Sequence, residues 1–392
     1  MKIGINASFL RKQNTGIGQV TTNFLKKLVE FEILNFKFEN NKGVEFILYL
    51  EEDVDLELPE GFSKKVFLPA WKRDDLIRKI WWEKFSLPKM AKADGCNVFL
   101  SLYQCPTVMP KTVFHLMVAH DIIPKLFPQY VNNFRKKLYQ QLSENGLQRA
   151  DKIMAVSHRT EKDLVQHLGI DPKKISVSHI DVDEIYKKEV SEEESQRVLQ
   201  KYGLEKGYVY NGGGLEIRKN TASVLLAYKM LLDGHELGNK MPKLVVSGKL
   251  MPHLVPLACD VEQLVADLGL GEQVVILDYV PQEDLPALYR NAVLFVYPSL
   301  YEGFGLPVLE AMNQGTPVIT SKTSSLPEVG VDSVLYCDPL NVDDLVMVMR
   351  NLLANEHLKA ALSLKGKERA QHFSWEKFVT KTINIIKEET KS

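Results

Sequence analysis

Short apolar runs rich in β-branched and aromatic residues recur between longer amphipathic segments, and this alternation constrains the fold more than any other feature of the sequence. KIGINA, VEFILYL, NVFLSL, TVFHLMVAHD and KIMAVS set the rhythm in the first half. It restarts after Asp171-Pro172 and the strand-like ISVSHID, with YVYNGG, KLVVSG, QVVILDYV, VLFVYPS, TPVITS and SVLYCD. Strands alternating with helices predict an α/β fold of doubly wound, mostly parallel sheets. A chain of 392 residues exceeds one ordinary core, so two Rossmann-like domains are expected. The boundaries read as 1–183 and 184–372, with 181–186 as the hinge and an amphipathic segment 373–392 crossing back to the first domain.

Ligands of open α/β sheets collect beyond the carboxyl ends of the strands, so the loops there are the place to look for chemistry. YEGFGLPVLE, residues 301–310, follows the run LFVYP and sets Glu302 and Glu310 on either side of Gly303-Phe304-Gly305. The glycines let backbone N–H groups at a helix start near Leu306 approach an anion. Two carboxylates beside such a loop suit a ligand with phosphates and many hydroxyls, which is the chemistry of a nucleotide sugar. NGGGLEIRKN supplies Arg218 and Lys219, cations able to neutralise a diphosphate leaving group without a metal; read by itself, that pair is a solvated helix start. His120 and Asp121 end the strand TVFHLMVAH, another position for a site. Gly16 and Gly18 open a helix after a polar loop, without the full G-x-G-x-x-G pattern of a dinucleotide fold. A P-loop and a G-x-S-x-G elbow are both missing from the sequence.

Charge is uneven. Residues 1–180 hold 27 Lys/Arg against 20 Asp/Glu, and residues 61–140 hold 14 against 5, interleaved with Trp71, Trp81, Trp82 and Phe85. Two readings are open: a surface that rests on anionic lipid or a phosphorylated acceptor, or an apolar stripe of Leu76, Ile77, Ile80, Trp81 and Phe85 whose basic residues face water. Cys96, Cys105, Cys259 and Cys337 are scattered, which suggests reduced thiols and neither zinc site nor disulfide framework. The start MKIGI lacks a leader pattern and no long apolar run follows, so a cytoplasmic protein is expected. The triplets Asp53–Asp55 and Asp181–Asp183 lie in an acidic loop and at the domain junction, and no metal is expected there.

Taken together, GIGQVTTNFLKKL, VAHDIIPKLFP, AVSHRTEKDL, GGGLEIRKN, YVPQEDLPALYRNAVLFVYPSLYEGFGLPVLEAMNQGTPVITSKTSSLPEV and FSWEKF resemble retaining glycosyltransferases of the two-Rossmann GT-B class, family four, over essentially the whole chain. The resemblance implies two domains facing a cleft and transfer of a hexosyl group from a nucleoside-diphosphate sugar to an acceptor hydroxyl. It implies that Glu310 holds the nucleotide ribose and Glu302 the donor sugar. Gly303, Phe304, Gly305 and Leu306 would present amides, Val280 would line the donor side, and Lys219 with Arg218 would clamp the pyrophosphate. His120 falls beside the sugar, with Gly16, Gly18 and Asp121 on the acceptor side. Gly213 stands where relatives carry a further basic residue, leaving Arg218 or Lys249 to supply that charge. Similar sequences serve bacterial O-antigen and exopolysaccharide synthesis, so GDP-mannose is the leading donor and a polyprenyl-diphosphate-linked glycan at the inner membrane face the leading acceptor. No cofactor and no nucleic-acid partner are expected. A catalytically silent nucleotide-sugar-binding subunit and a nucleotide-sugar epimerase of the same fold remain the alternatives.

Overall fold

The structure is a computed structural model that describes residues 1–13, 15–35, 43–67, 75–234 and 241–390. Trp71, part of the basic aromatic stretch, lies outside the described residues. The chain divides into two compact units, Met1–Ile180 with Ser374–Ser392, and Asp181–Phe373.

The first unit is built on a seven-stranded sheet of β1 (Lys2–Asn6), β2 (Glu45–Leu50), β3 (Phe62–Val66), β4 (Val98–Ser101), β5 (Phe114–Ala119), β6 (Lys152–Ala155) and β7 (Ile175–Val177). Its spatial order is β3-β2-β1-β4-β5-β6-β7, and every pairing is parallel. Central strands such as β4 are buried along their whole length, as a sheet covered on both faces requires. β3 has no apolar signature: FSKKV is an edge strand whose lysines lean on Asp53, Asp94 and the carbonyl of Val54, the charged kind of edge that discourages further pairing. The helix Trp375–Thr390 buries Phe378, Val379, Ile383 and Ile386. Phe378 meets Phe24 of helix Gly16–Asn35 at 6.1 Å, edge to face, and the Lys381 Nζ reaches the carbonyl of Val177 at 2.5 Å.

The apolar stripe expected at 76–85 does not fold as such. Ile80 and Trp82 are buried, whereas Trp81 and Phe85 are about half exposed. Arg78 is also buried, on Glu51 at 2.8 Å and Glu52 at 3.1 Å, rather than facing water. The period breaks locally: helix Asp75–Trp81 runs into a π-helical turn, Trp82–Ser86, before Leu87–Ala93. The wider turn sets the buried Trp82 and Leu87 five residues apart and leaves Phe85 off the buried face.

The second unit carries β8 (Tyr208–Asn211), β9 (Leu244–Ser247), β10 (Val274–Leu277), β11 (Ala292–Tyr297), β12 (Val318–Ser321) and β13 (Leu335–Cys337). They lie parallel in the order β10-β9-β8-β11-β12-β13. Renumbered within the unit this is 3-2-1-4-5-6, the Rossmann order, whose direction reverses between β8 and β11. One core cluster joins Val209, Val246, Leu294, Val296 and Ile319 of the strands to Val224, Tyr228 and Met349 of covering helices.

Candidate functional site

The loops after β8 and β11 carry the charged residues, on either side of the point where strand order reverses. β8 ends in Asn211, and Gly213 and Gly214 follow with φ of +94° and +106°. A Cβ on Gly213 would stand 2.9 Å from Pro307, so glycine is what lets this loop lie against the start of helix Leu306–Asn313. The chain then makes a 3-10 turn, Ile217–Lys219, that delivers Arg218 and Lys219.

Lys219 is buried rather than solvated. Its Nζ donates to Glu302 Oε1 at 2.8 Å and to the Tyr297 hydroxyl at 2.5 Å. Arg218 Nη1 reaches the same carboxylate oxygen at 2.8 Å and the Tyr301 carbonyl at 3.1 Å. The Tyr297 and Ser299 hydroxyls also donate to Glu302 Oε1, both at 2.7 Å. One oxygen therefore collects two cations and two hydroxyls. Burial alone would raise the Glu302 carboxyl, but the Lys219 and Arg218 charges outweigh it and hold the group at about 2. Burial, with Arg218 beside it, lowers the Lys219 ammonium despite Glu302.

The loop is fixed by its backbone. Ser324 Oγ accepts from Glu302 N at 2.7 Å, and Ser325 Oγ donates to the carbonyls of Glu302 at 2.9 Å and Phe304 at 2.6 Å. Gly305, at φ +122°, would push a Cβ to 2.8 Å from Leu326. The Phe304 ring packs edge-on against Phe373 at 5.7 Å, so this residue turns its side chain into the unit. Leu306 begins the helix, which has no side-chain N-cap. One turn further, Glu310 is buried and accepts from the Tyr289 hydroxyl at 2.9 Å. Burial dominates here and raises its carboxyl to about 7, with hydrogen bonding and the Lys219 charge acting the other way. The two glutamates are thus pushed apart in acidity by their surroundings. Val280 is buried past β10, and Lys249 is exposed past β9, outside the Glu302 cluster.

In the first unit, His120 follows β5. Its Nε2 lies 2.9 Å from the carbonyl of Leu102, an acceptor only, so Nε2 carries the hydrogen and Nδ1 the lone pair. Burial lowers the ring's pKa, which keeps the imidazole neutral. Asp121 Oδ1 accepts from Ile123 N at 2.9 Å. Gly16 is exposed at the helix start, whereas a Cβ on Gly18 would lie 1.9 Å from the carbonyl of Lys12. The Asp-x-Asp triplets are engaged elsewhere: Asp53 pairs with Lys64 at 2.8 Å and Asp181 with Lys187 at 2.6 Å.

Residues 41–183 match the model of Glycosyltransferase Family 4, and residues 192–369 that of Glycosyl transferases group 1. The O-antigen chain mannosyltransferase B of Escherichia coli is 35% identical over 270 residues, 68% of each chain. The chain belongs to this glycosyltransferase family. RfbU of Salmonella typhimurium, another O-antigen chain mannosyltransferase, is 29% identical over 368 residues, 92% of each chain. The structure of WaaG, a glycosyltransferase involved in lipopolysaccharide biosynthesis, superimposes with a TM-score of 0.72 at 16% identity, covering 98% of this chain and 99% of that one. Such a likeness shows the GT-B fold of two Rossmann-like domains. In this glycosyltransferase the site gains residues that the sequence reading did not name: Tyr297, Ser299, Ser324 and Tyr289. Tyr297 and Ser299 stand within five residues of Glu302, a spacing that carries a signal only once the turn after β11 is known. Among the described residues, no group of three or more His, Cys, Asp or Glu is placed to hold a metal, and no helix is long and apolar enough to cross a membrane.

Proposed function

We propose that this glycosyltransferase moves a mannosyl group from GDP-mannose to a hydroxyl of a lipid-linked glycan, with retention at the anomeric carbon, during synthesis of a surface polysaccharide. What carries the donor half is one observation: two cations, the buried Lys219 and the partly buried Arg218, meet on Glu302 at the switch point of the second sheet, with a second buried acid, Glu310, in the helix that starts there. The mannosyl assignment is supported by the named activity of the E. coli and Salmonella relatives.

In this reading Glu310 accepts hydrogen bonds from the ribose and Glu302 from the sugar. Lys219, Arg218 and the amides before Leu306 face the diphosphate. Negative charge grows on that diphosphate as its bond to the anomeric carbon breaks, so preorganised cations stabilise the transition state more than the bound donor. They supply the charge that a metal would otherwise bring. Glu302 Oε1 already takes four donors and is a poor nucleophile. The acceptor oxygen therefore bonds to the anomeric carbon on the face the phosphate leaves, and its proton passes to a phosphate oxygen. On the first unit, His120 Nδ1 is a neutral acceptor for a sugar hydroxyl.

Contact with an anionic bilayer is part of the proposal. Trp81 and Phe85, rings 5.1 Å apart, are exposed, with Lys84 Nζ 5.5 Å from the Phe85 ring centre and Lys89 and Lys92 exposed in the helix that follows, a pairing of interfacial aromatics with basic charge.

The test is calorimetric titration with GDP, UDP, ADP and dTDP, with and without EDTA. GDP should bind most tightly and be indifferent to the chelator. Another base binding best would reassign the donor, EDTA sensitivity would refute the metal-free clamp, and failure of all four to bind would remove the transferase reading.

A further inference from the structure

The donor chemistry leaves unused a cavity of about 300 Å³ in the first unit. It lies at that sheet's own switch point, where the order reverses between β1 and β4. Phe9 and Ile17 come from the segment after β1, Tyr103 and Gln104 from the loop after β4, and Asp121 from the loop after β5. A crevice beyond strand carboxyl ends at a reversal point is the ligand position of an open α/β sheet, and about 300 Å³ is the lower end of pocket sizes that hold small molecules.

Its walls say what it takes. Leu76, Ile122, Val131 and Leu147 add aliphatic surface to the aromatic rings. The lysines and Gln104 of its wall are engaged with neighbouring groups, whereas the buried Ser143 hydroxyl meets no hydrogen-bond partner among the described residues. Lys79 Nζ sits 4.4 Å from the Phe9 ring centre and 5.0 Å from that of Tyr103, and 3.7 Å from Glu83. Lys125 pairs with Glu144 at 3.3 Å, and Lys136 donates to the Tyr130 carbonyl at 3.2 Å. The Gln104 amide donates to the Asp121 carbonyl at 3.3 Å and accepts from His120 N at 3.1 Å. A polyol pushed into this space could pair one hydroxyl with Ser143, but its others would be buried without partners or would break those contacts, and either costs free energy. A hydrocarbon costs neither and gains from leaving water.

We propose that the cavity takes a hydrocarbon group carried by the acceptor, an alkyl segment or apolar aglycone, and so holds the acceptor's hydroxyl end at the Gln104–Asp121 wall beside His120. This rests on the transferase reading above. It makes the hydrocarbon a determinant of acceptor choice, separate from the sugar.

The experiment compares octyl and methyl α-mannosides, which share a sugar and differ in hydrocarbon, by calorimetric titration of the full chain below the micelle concentration of the octyl compound. The octyl glycoside should bind at least about tenfold more tightly, a modest share of what burying several methylenes offers. Leu76→Trp and Val131→Phe, which fill the cavity, should each bring the two affinities within about threefold, with GDP binding unchanged as the check on folding. Equal affinities in the unmodified protein, including no binding of either, overturn the proposal. So does octyl binding that survives in whichever filling variant folds, since the hydrocarbon then sits elsewhere, as on Trp81 and Phe85. Loss of nucleotide binding in the unmodified protein overturns the transferase reading instead.

Discussion

Lys219 Nζ and Glu302 Oε1 lie 2.8 Å apart, and Arg218 reaches that same oxygen at the same distance. The cations and the acid that the sequence offers as separate contacts are one cluster, so in the proposed function an entering diphosphate competes with Glu302 for both charges. Glu302→Gln keeps an acceptor for Tyr297 and Ser299 but removes the competitor. Nucleoside diphosphate should then bind on the order of tenfold more tightly. Buried Lys219 would lose its counter-charge, whereas Arg218 keeps Glu216 at 3.3 Å, so stability should fall by about 3–5 kcal/mol. Calorimetry and thermal melting of the one variant check both directions.

Lys219→Ala should lower turnover by about 10²–10³ while the donor KM changes less than about tenfold, because in the proposed role the ammonium acts on charge that develops during bond breaking. Steady-state kinetics over donor concentration separates the two. A variant that raises KM alone would assign Lys219 to ground-state binding.

The two glutamates give stability opposite pH slopes. Glu302 is held at about 2, below its ordinary 4.5, so its contribution is present above pH 4.5 and is lost as pH falls towards 2. Glu310 is raised to about 7, so its contribution is full below pH 4.5 and is lost as pH rises to 7. Melting temperatures from pH 3 to 8 should show the upper slope flattened in Glu310→Gln. In the proposed role ribose hydroxyls favour the ionised acid, so GDP should bind more tightly as pH rises through 7 and should release a proton. Calorimetric enthalpies in buffers of different ionisation heat count that proton.

Gly16 and Gly18, two residues apart, should respond oppositely to alanine. A Cβ at Gly18 meets the carbonyl of Lys12, and overpacking of this kind costs about 1–3 kcal/mol. Nothing lies within 4 Å of the same atom at Gly16, where loss of unfolded-chain freedom should stabilise by about 0.4–1 kcal/mol. Urea melts of the two variants decide it.

Trp81→Ser with Phe85→Ser should leave the melting temperature nearly unchanged, since both side chains are half exposed. Sedimentation with vesicles containing anionic lipid should fall at least about fivefold if these rings insert at the interface. Undiminished sedimentation would remove the membrane part of the proposal.

Much of this was legible from the sequence because β-branched runs buried on both faces announce themselves: every run named as a strand coincides with one, ISVSHID with β7 included. FSKKV escaped because an edge strand with lysines carries no burial pattern. A regular 3.6-residue period sets Phe85 on the face of Ile80 and Trp81, and the π-turn Trp82–Ser86 breaks that period; the exposure of Trp81, which precedes the turn, has no signal in the sequence. The residue types of the site were visible in their loops, but their partners were not. That Tyr297, Ser299, Lys219 and Arg218 converge on one oxygen depends on β8 and β11 lying side by side although 80 residues of sequence separate Tyr208 from Leu288, whose carbonyl that tyrosine's hydroxyl meets.

The helix Trp375–Thr390 has a consequence for biosynthesis. It belongs to the unit that the ribosome begins first, and everything from Asp181 to Phe373 is made in between. During translation the nascent first unit must wait with the face of helix Gly16–Asn35 around Phe24 uncovered, while the second unit already has all of its strands. A stop codon after Phe373 should therefore harm the opposite end of the chain, leaving Phe24 without Phe378 and Lys152 without Glu389.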